Sequence, residues 1–271
     1  CHLFGFKCSR GLLPHFYGRL EPFRLSVVGP LAHTVTDAAA MLDALRGPVM
    51  WPTAPEALHI ACAEPPPKKL RVGVCRTSAL AEVEPERLAA LERVADWFAQ
   101  QGHVLEDRPA LPGRLDEFLP VFQQMFTRLP VLREASLQPI TRWLRTEGRR
   151  ITAAAARARL EELRSRADGW WRDADLVISP TVAVPTPKVY AWRDLPAEQS
   201  FAAAAPLGAF TAAFNATGQP AASVPIGLDE QGLPIGVQIG GRLGDDLLVL
   251  RVCRALEEAM PWRHRRAPAL R

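Results

Sequence analysis

Processing that exposed Cys1 as the first residue would make it a candidate nucleophile in this 271-residue chain. A terminal thiol whose own α-amino group takes its proton is a complete nucleophile–base pair, as in hydrolases that work through their first residue. Lys7 and Ser9 come next. Side chains at i and i+2 do not meet as base and nucleophile without special backbone geometry, so this pair reads as a loop lysine and a turn serine. The six histidines (His2, His15, His33, His59, His103 and His264) stand at no motif spacing from a Cys, Ser or Asp. Gly240, Gly241 and Gly244 follow an expected strand and precede an expected helix, but the spacing is not G-x-G-x-x-G, and dinucleotide binding is not indicated. The five cysteines (Cys1, Cys8, Cys62, Cys75 and Cys253) are odd in number and contain no C-x-x-C. That argues against both a disulfide framework and a zinc site, and for reduced thiols in a cytoplasmic protein. No metal and no organic cofactor are implied.

These residues must be held by a body of ordinary globular composition. Hydrophobic residues make up 48% and charged residues 23%, which excludes a disordered or fibrous chain and allows one large domain or two small ones. A single domain over 1–271 is the expectation. The net charge is +4 and the pI about 9.0, a balance that can signal a nucleic-acid partner. The basic residues, however, are nearly all arginines spread among acidic neighbours, as in Arg87, Glu92, Arg93 and Asp96. The densest run, Arg263-His264-Arg265-Arg266, reads as a solvated tail. No nucleic-acid partner is expected. No apolar run reaches the ~18 residues that span a bilayer, so no membrane partner is expected either.

Periodicity supplies the elements. Thr34 with Asp37 three residues on starts a helix with Met41, Leu42 and Leu45 as its apolar face and Gly47 as its stop. Leu70–Cys75 reads as a buried strand. Pro85 opens a helix that buries Leu88, Leu91, Val94, Ala95 and Phe98 and ends at Gly102; His103–Leu105 then begins a strand. Residues 115–172 are helical, with Leu119, Phe122, Phe126 and Leu129 on one face. Leu176–Ile178 is a strand, 182–199 a proline-bearing loop, and 206–216 a helix. Ala221–Leu228 and Pro234–Ile239 form a hairpin about the Asp229–Gly232 turn. Asp245 starts a last helix with Leu248, Val252, Ala255, Leu256 and Ala259 inward. The strand–helix–strand order predicts an α/β protein with a mixed central sheet flanked by helices.

Three stretches resemble the amidase-signature family. Phe4-Gly5-Phe6-Lys7-Cys8-Ser9-Arg10-Gly11 resembles the family's G-x-K-P-T-x-G. Gly29-Pro30-Leu31-Ala32-His33-Thr34-Val35-Thr36-Asp37 is similar to G-P-[LM]-A-R-[ST]-V-x-D. The run from Phe210 to Arg242 is similar to F-N-x-[ST]-G-x-P-A-x-[ST]-[VL]-P-x-G…G-L-P-x-G-x-Q. Cys8 stands where the pattern has proline, and His33 where it has arginine. All three motifs in this order cover nearly the whole chain.

The resemblance implies hydrolysis of a small-molecule carboxylic amide through an acyl-enzyme, with a nucleophilic serine, a relay serine and a neutral lysine base. In the family those groups lie N-terminal to the segment that matches Phe4–Gly11. No G-G-S-S-G-G-S run occurs here, Lys7 matches a family lysine other than the catalytic one, and no lysine is expected on a strand as a buried base. The expectation is therefore the C-terminal part of an amidase, similar to generic bacterial amidases and amidotransferase A subunits. Its N-terminal part, with the catalytic core, is missing, so it is inactive alone and carries no catalytic residue. The resemblance also implies that Thr181, Thr211, Phe214 and Asn215 shape the acyl side of the pocket. Phe214 as a core aromatic, and Asn215 with Gly218 as a helix end, are the structural alternatives. Two other functions stand beside this one: a non-catalytic pseudoenzyme or binding subunit, and a hydrolase using Cys1; a homo-oligomer is a further partner expectation. Lipid modification of Cys1 is a fourth reading, and the apolar Leu3–Phe6 that follows is unlike a polar tether.

Overall fold

The computed structural model describes residues 2–14, 21, 23–46, 57–128 and 130–265. Cys1, His15, Gly47, Leu129 and Arg266 lie outside the described residues.

The strands are β1 (Phe4–Lys7), β2 (Leu31–Ala32), β3 (Arg71–Cys75), β4 (Val104–Arg108), β5 (Leu176–Pro180), β6 (Ala221–Leu228) and β7 (Pro234–Gly241). They form one mixed sheet in the order β2-β1-β6-β7-β5-β3-β4. β3 runs parallel to β4 and β5; β7 is antiparallel to β5 and β6, and β1 is antiparallel to β6 and β2. The helices are α1 (Val35–Arg46), α2 (Leu58–Ala61), α3 (Pro85–Gln100), α4 (Leu115–Phe126), α5 (Pro139–Gly148), α6 (Ala153–Trp171), α7 (Ala197–Ala204), α8 (Ala212–Thr217) and α9 (Asp246–Ala259).

Local chemistry explains most boundaries. The Thr34 hydroxyl accepts the Asp37 N–H at 3.0 Å, and Thr152 accepts that of Ala155 at 3.1 Å, so both helices start on side-chain caps. Pro85 occupies the first turn of α3, where its missing donor costs nothing. Pro225 sits at the irregularity in the β6–β7 ladder, where a missing donor is tolerated.

One face of the sheet is covered by α1, α3 and α9, whose core includes Leu42, Leu91, Phe98, Val252 and Leu256. The opposite face carries Trp170 and Trp171 of α6, Phe210, and Phe214 of α8. A third cluster joins Val121 of α4 to Ala156 and Leu160 of α6 and to Phe23 and Leu25. The mixed sheet flanked by helices is the architecture the strand–helix order predicts.

Several expectations are corrected. In α1 the buried residues are Val35, Ala38, Ala39 and Leu42, whereas Met41 and Leu45 are about half exposed. The alanine stripe lets the helix lie close on β1, which turns the larger Met41 and Leu45 outward. In α9, Val249, Leu250 and Cys253 join Val252 and Leu256 inside, while Ala259 is exposed. The expected helix over 206–216 is a 3-10 turn at Ala205–Gly208 followed by α8, and the expected loop to 199 gives way at Ala197 to α7. Pro206 lacks the N–H that would carry α7 on into this segment. Among the described residues no helix is long and apolar enough to cross a membrane.

Candidate functional site

Strand pairing gathers polar side chains onto one face of the sheet. Gly5 of β1 opposes Ser223 of β6, Ser223 opposes Gln238 of β7, and Gln238 opposes Ser179 of β5. In-register residues share a face, and so do residues two apart on a strand, which adds Lys7 and Thr181. The hydroxyls of Thr181 and Ser223 lie 2.8 Å apart. Gly236 makes their meeting possible: a Cβ there would fall 2.8 Å from Ser223 Oγ and 2.9 Å from Thr181 Oγ1. The Gln238 amide donates to Ser179 Oγ and to the Phe210 carbonyl, both at 3.2 Å. That second bond ties the stripe to the segment leading into α8.

Beyond that segment lies an apolar cavity of about 290 Å³. Leu25, Leu80, Phe118, Phe122, Leu163 and Phe201 supply much of its wall. Thr211 and Asn215 are among its few polar residues. Of the four residues singled out from sequence, the structure therefore brings two, Thr211 and Asn215, to one cavity. Thr181 belongs to the hydroxyl pair on the sheet. Phe214 is 2% exposed, meets Trp171 edge-on at 6.3 Å, and covers Gly240 so closely that a Cβ there would be 2.3 Å from its ring. It holds α8 against the sheet from within the core.

Sequence reasoning did not single out Ser223, Phe118 or Phe201. Phe118 and Phe122 are four apart on one helix, a detectable spacing. Phe201, however, reaches Phe122 (ring centroids 5.9 Å) only because α7 packs across α5 near α4.

The residues around Phe4–Gly11 act as anchors. Ser9 is 3% exposed; its N–H donates to Asp246 Oδ1 at 2.7 Å and its hydroxyl accepts the Gly244 N–H at 2.9 Å. These bonds fix the strand exit to the first turn of α9. Ser9 is thus a buried structural residue, and it opens a turn as expected, its carbonyl accepting the Leu12 N–H at 3.1 Å. Lys7 closes strand β1 rather than lying in a loop, contrary to expectation, and its ammonium donates to the Cys8 carbonyl at 3.2 Å. Burial pulls its pKa down to about 8 from the ordinary 10.5. A lysine depressed in the folded state alone makes stability rise between about pH 8 and pH 10.5, because the unfolded chain still binds the proton there. The buried cysteines, raised in the folded state, pull the other way above pH 9.0, so the readout is the stability difference between the protein and Lys7→Met, which is expected to grow by roughly 3 kcal/mol across the window. Urea unfolding of both proteins at about pH 7.5 and about pH 10, which spans most of the window, is the check; a difference that does not change with pH would refute it.

The described cysteines offer no nucleophile. Burial pushes the Cys8 thiol up to about 12 and that of Cys75 to about 11, and raises Cys62 and Cys253 as well. A protonated, buried thiol is inert. Among the described residues no group of three His, Cys, Asp or Glu side chains could hold a metal ion.

The fold is a mixed α/β sheet with a hydroxyl-bearing face, and an apolar cavity lies among its helices and loops. The comparisons with known proteins then place it: the amidase family model matches residues 1–250, and the chain belongs to the amidase family, the amidase-signature enzymes. It is 33% identical over 307 aligned positions to a 6-aminohexanoate-cyclic-dimer hydrolase of Paenarthrobacter ureafaciens, covering 100% of this chain and 62% of that protein. It is 30% identical to the putative amidase AmiB2 of Mycobacterium tuberculosis, over 98% of this chain and 59% of the relative. A solved structure of 6-aminohexanoate cyclic dimer hydrolase superposes with a TM-score of 0.86 at 29% identity, covering 99% of this chain and 62% of that one. A bacterial aryl acylamidase of the amidase signature family shares the fold, with a TM-score of 0.75 at 22% identity, over 98% of this chain and 61% of that one. The chain thus spans about three-fifths of the length of these relatives.

Proposed function

We propose that these 271 residues are the C-terminal, substrate-cradling part of an enzyme that hydrolyses a carboxylic amide bearing an apolar substituent. The observation that carries this reading is the cavity of about 290 Å³, walled by Phe118, Phe122 and Phe201 and edged by Thr211 and Asn215. Such a cavity binds an aliphatic or aromatic group by removing it from water. Thr211 and Asn215 can meet the polar amide end of such a ligand, while Thr181, paired with Ser223, supports the neighbouring sheet face. The relative that acts on a 6-aminohexanoate cyclic dimer, by its name, handles an amide of this apolar kind.

In this reading the nucleophilic serine, relay serine and lysine base are supplied from outside the 271 residues. Two points support it. The family places those groups before the motif that Phe4–Gly11 matches, and the described cysteines and Ser9 are buried as structural groups. The test pairs two proteins: the 271-residue chain, and the same chain preceded by the family's nucleophile-bearing segment. Each is assayed for amine release, and for hydroxamate formation when hydroxylamine traps the acyl-enzyme. The longer protein is expected to give both and the shorter chain neither. Turnover by the 271 residues alone would overturn the division of labour. Silence in both, with a soluble chain, would favour a non-catalytic binding subunit.

A further inference from the structure

A second cavity, of about 530 Å³, is lined by Arg10, Phe23, Arg24, Arg157, Ala158, Leu160, Glu161 and Arg164. We propose that this arginine cleft binds a small dianionic oxyanion of the phosphate kind, a role independent of amide hydrolysis.

Four guanidinium groups share the cleft with one lining carboxylate. Glu161 stands 3.7 Å from Arg164. Glu21 also faces Arg10, but its two oxygens accept the N–H groups of Leu25 and Ser26 at 2.7 and 2.8 Å. Positive charge therefore exceeds negative charge within the cleft. Arg24 and Arg157 are exposed and have no ion pair or side-chain hydrogen bond among the described residues. Arg10 is spent partly on the protein: its Nη1 and Nη2 donate to the Thr217, Asn215 and Ala216 carbonyls at the end of α8. Its Nε is buried with no partner. Arg164 Nε donates to the Ala216 carbonyl at 2.8 Å and its Nη2 to that of Phe23 at 3.2 Å.

This arrangement has a cost that a bound anion would remove. Burial, together with the neighbouring Arg164 and Arg24, brings the Arg10 guanidinium down to about 10. An oxyanion between these groups would accept from Arg24 and Arg157 and offset the charge of Arg10 and Arg164, and charge-assisted bonds of this type are the strong ones. The carbonyl end of α8 alone does not repel it, because Arg10 and Arg164 already cover those carbonyls.

The cleft also has a route to the apolar cavity. α8 ends on Arg10 and Arg164 and offers Asn215, Ala216 and Thr217 to that cavity. α6 gives Arg157, Leu160 and Arg164 to the cleft and Leu163 and Ala167 to the cavity, while Phe23–Leu25 lines both. Gly218 fixes the turn after α8 with φ +89°, and a Cβ there would meet Arg10 at 2.8 Å. Charge in the cleft thus bears on the backbone that carries Asn215.

The experiment is calorimetric titration of the full chain with inorganic phosphate at constant ionic strength, with sodium chloride as the blank. Arg24→Gln and Arg157→Gln lie on exposed positions and leave the α8 end contacts intact, so the double variant is the test protein; its far-UV spectrum and melting temperature confirm that it is folded. Saturable phosphate binding is expected, weakened about tenfold or more in the double variant. Heat no greater than the chloride blank, or equal binding by the double variant, overturns the proposal. Chloride screening alone would vanish at matched ionic strength.

Discussion

Asp229→Ala is expected to destabilise the folded protein by roughly 3–5 kcal/mol, as removal of one member of a buried ion pair does. The Arg87 and Asp229 side chains are 2% and 5% exposed, with Nη2 and Oδ2 3.4 Å apart. Asp229 also builds the β6–β7 turn: its Oδ1 accepts the N–H groups of Gln231 at 3.0 Å and Leu233 at 2.8 Å. Alanine removes all of these contacts at once. It leaves Arg87 charged and buried, with Nε and Nη1 already without partners. The pair joins α3 to the hairpin across the long sequence between them, so the loss is felt by the whole sheet and not by one turn. Urea unfolding monitored by tryptophan fluorescence measures it. The double variant Arg87→Met/Asp229→Ala should lose less than Asp229→Ala, because it buries no unpaired charge. A double variant as unstable as the single one would refute the ion-pair argument and leave the turn as the cause.

Gly208→Phe is expected to lower kcat/KM for amides with a large apolar substituent by roughly a hundredfold, and to leave small aliphatic amides within about threefold. Gly208 lines the apolar cavity, and a Cβ there would meet only Ala212 Cβ, at 4.0 Å. The new ring can therefore enter the cavity without displacing backbone. A benzyl group takes up much of about 290 Å³ and excludes a second apolar group from the same space. The measurement is a substrate series of rising acyl bulk, assayed in the longer protein described above. Equal losses across the series would mean that the ring disturbs the fold or the reacting atoms. No loss at all would mean that the substrate binds elsewhere, and the cavity reading would fall with it.

The sequence by itself determined most of the elements, their order and the family. Pro85 and Gly102 bound α3, Thr34 starts α1, and the Asp229–Gly232 turn separates β6 from β7; caps and turns are local chemistry and are written locally. The three motifs likewise lie in contiguous runs, so they were legible without a fold. Local pattern reached less far on the helix faces: Met41 and Leu45 are apolar, yet alanines decide which side of α1 meets β1. It also failed at Ala205–Gly208, where Pro206 breaks an otherwise helical run.

The site was decided by tertiary structure. Ser179, Ser223 and Gln238 come from three strands, with Thr181 directly after the first of them, and only the order β6-β7-β5 puts them on one face. Thr211 and Phe214 are three apart, but one lines the cavity and the other fills the core, because a short helix wedged against Trp171 and Gly240 has an inside and an outside. Lys7 read as a loop residue until its strand was paired, and its depressed pKa comes from burial that no spacing encodes. The arginine cleft joins positions 10, 24, 157 and 164, which are remote in sequence. Spacing along a chain records what one helix turn or one strand can see. What several elements enclose together depends on their packing, and there only the fold supplied the answer.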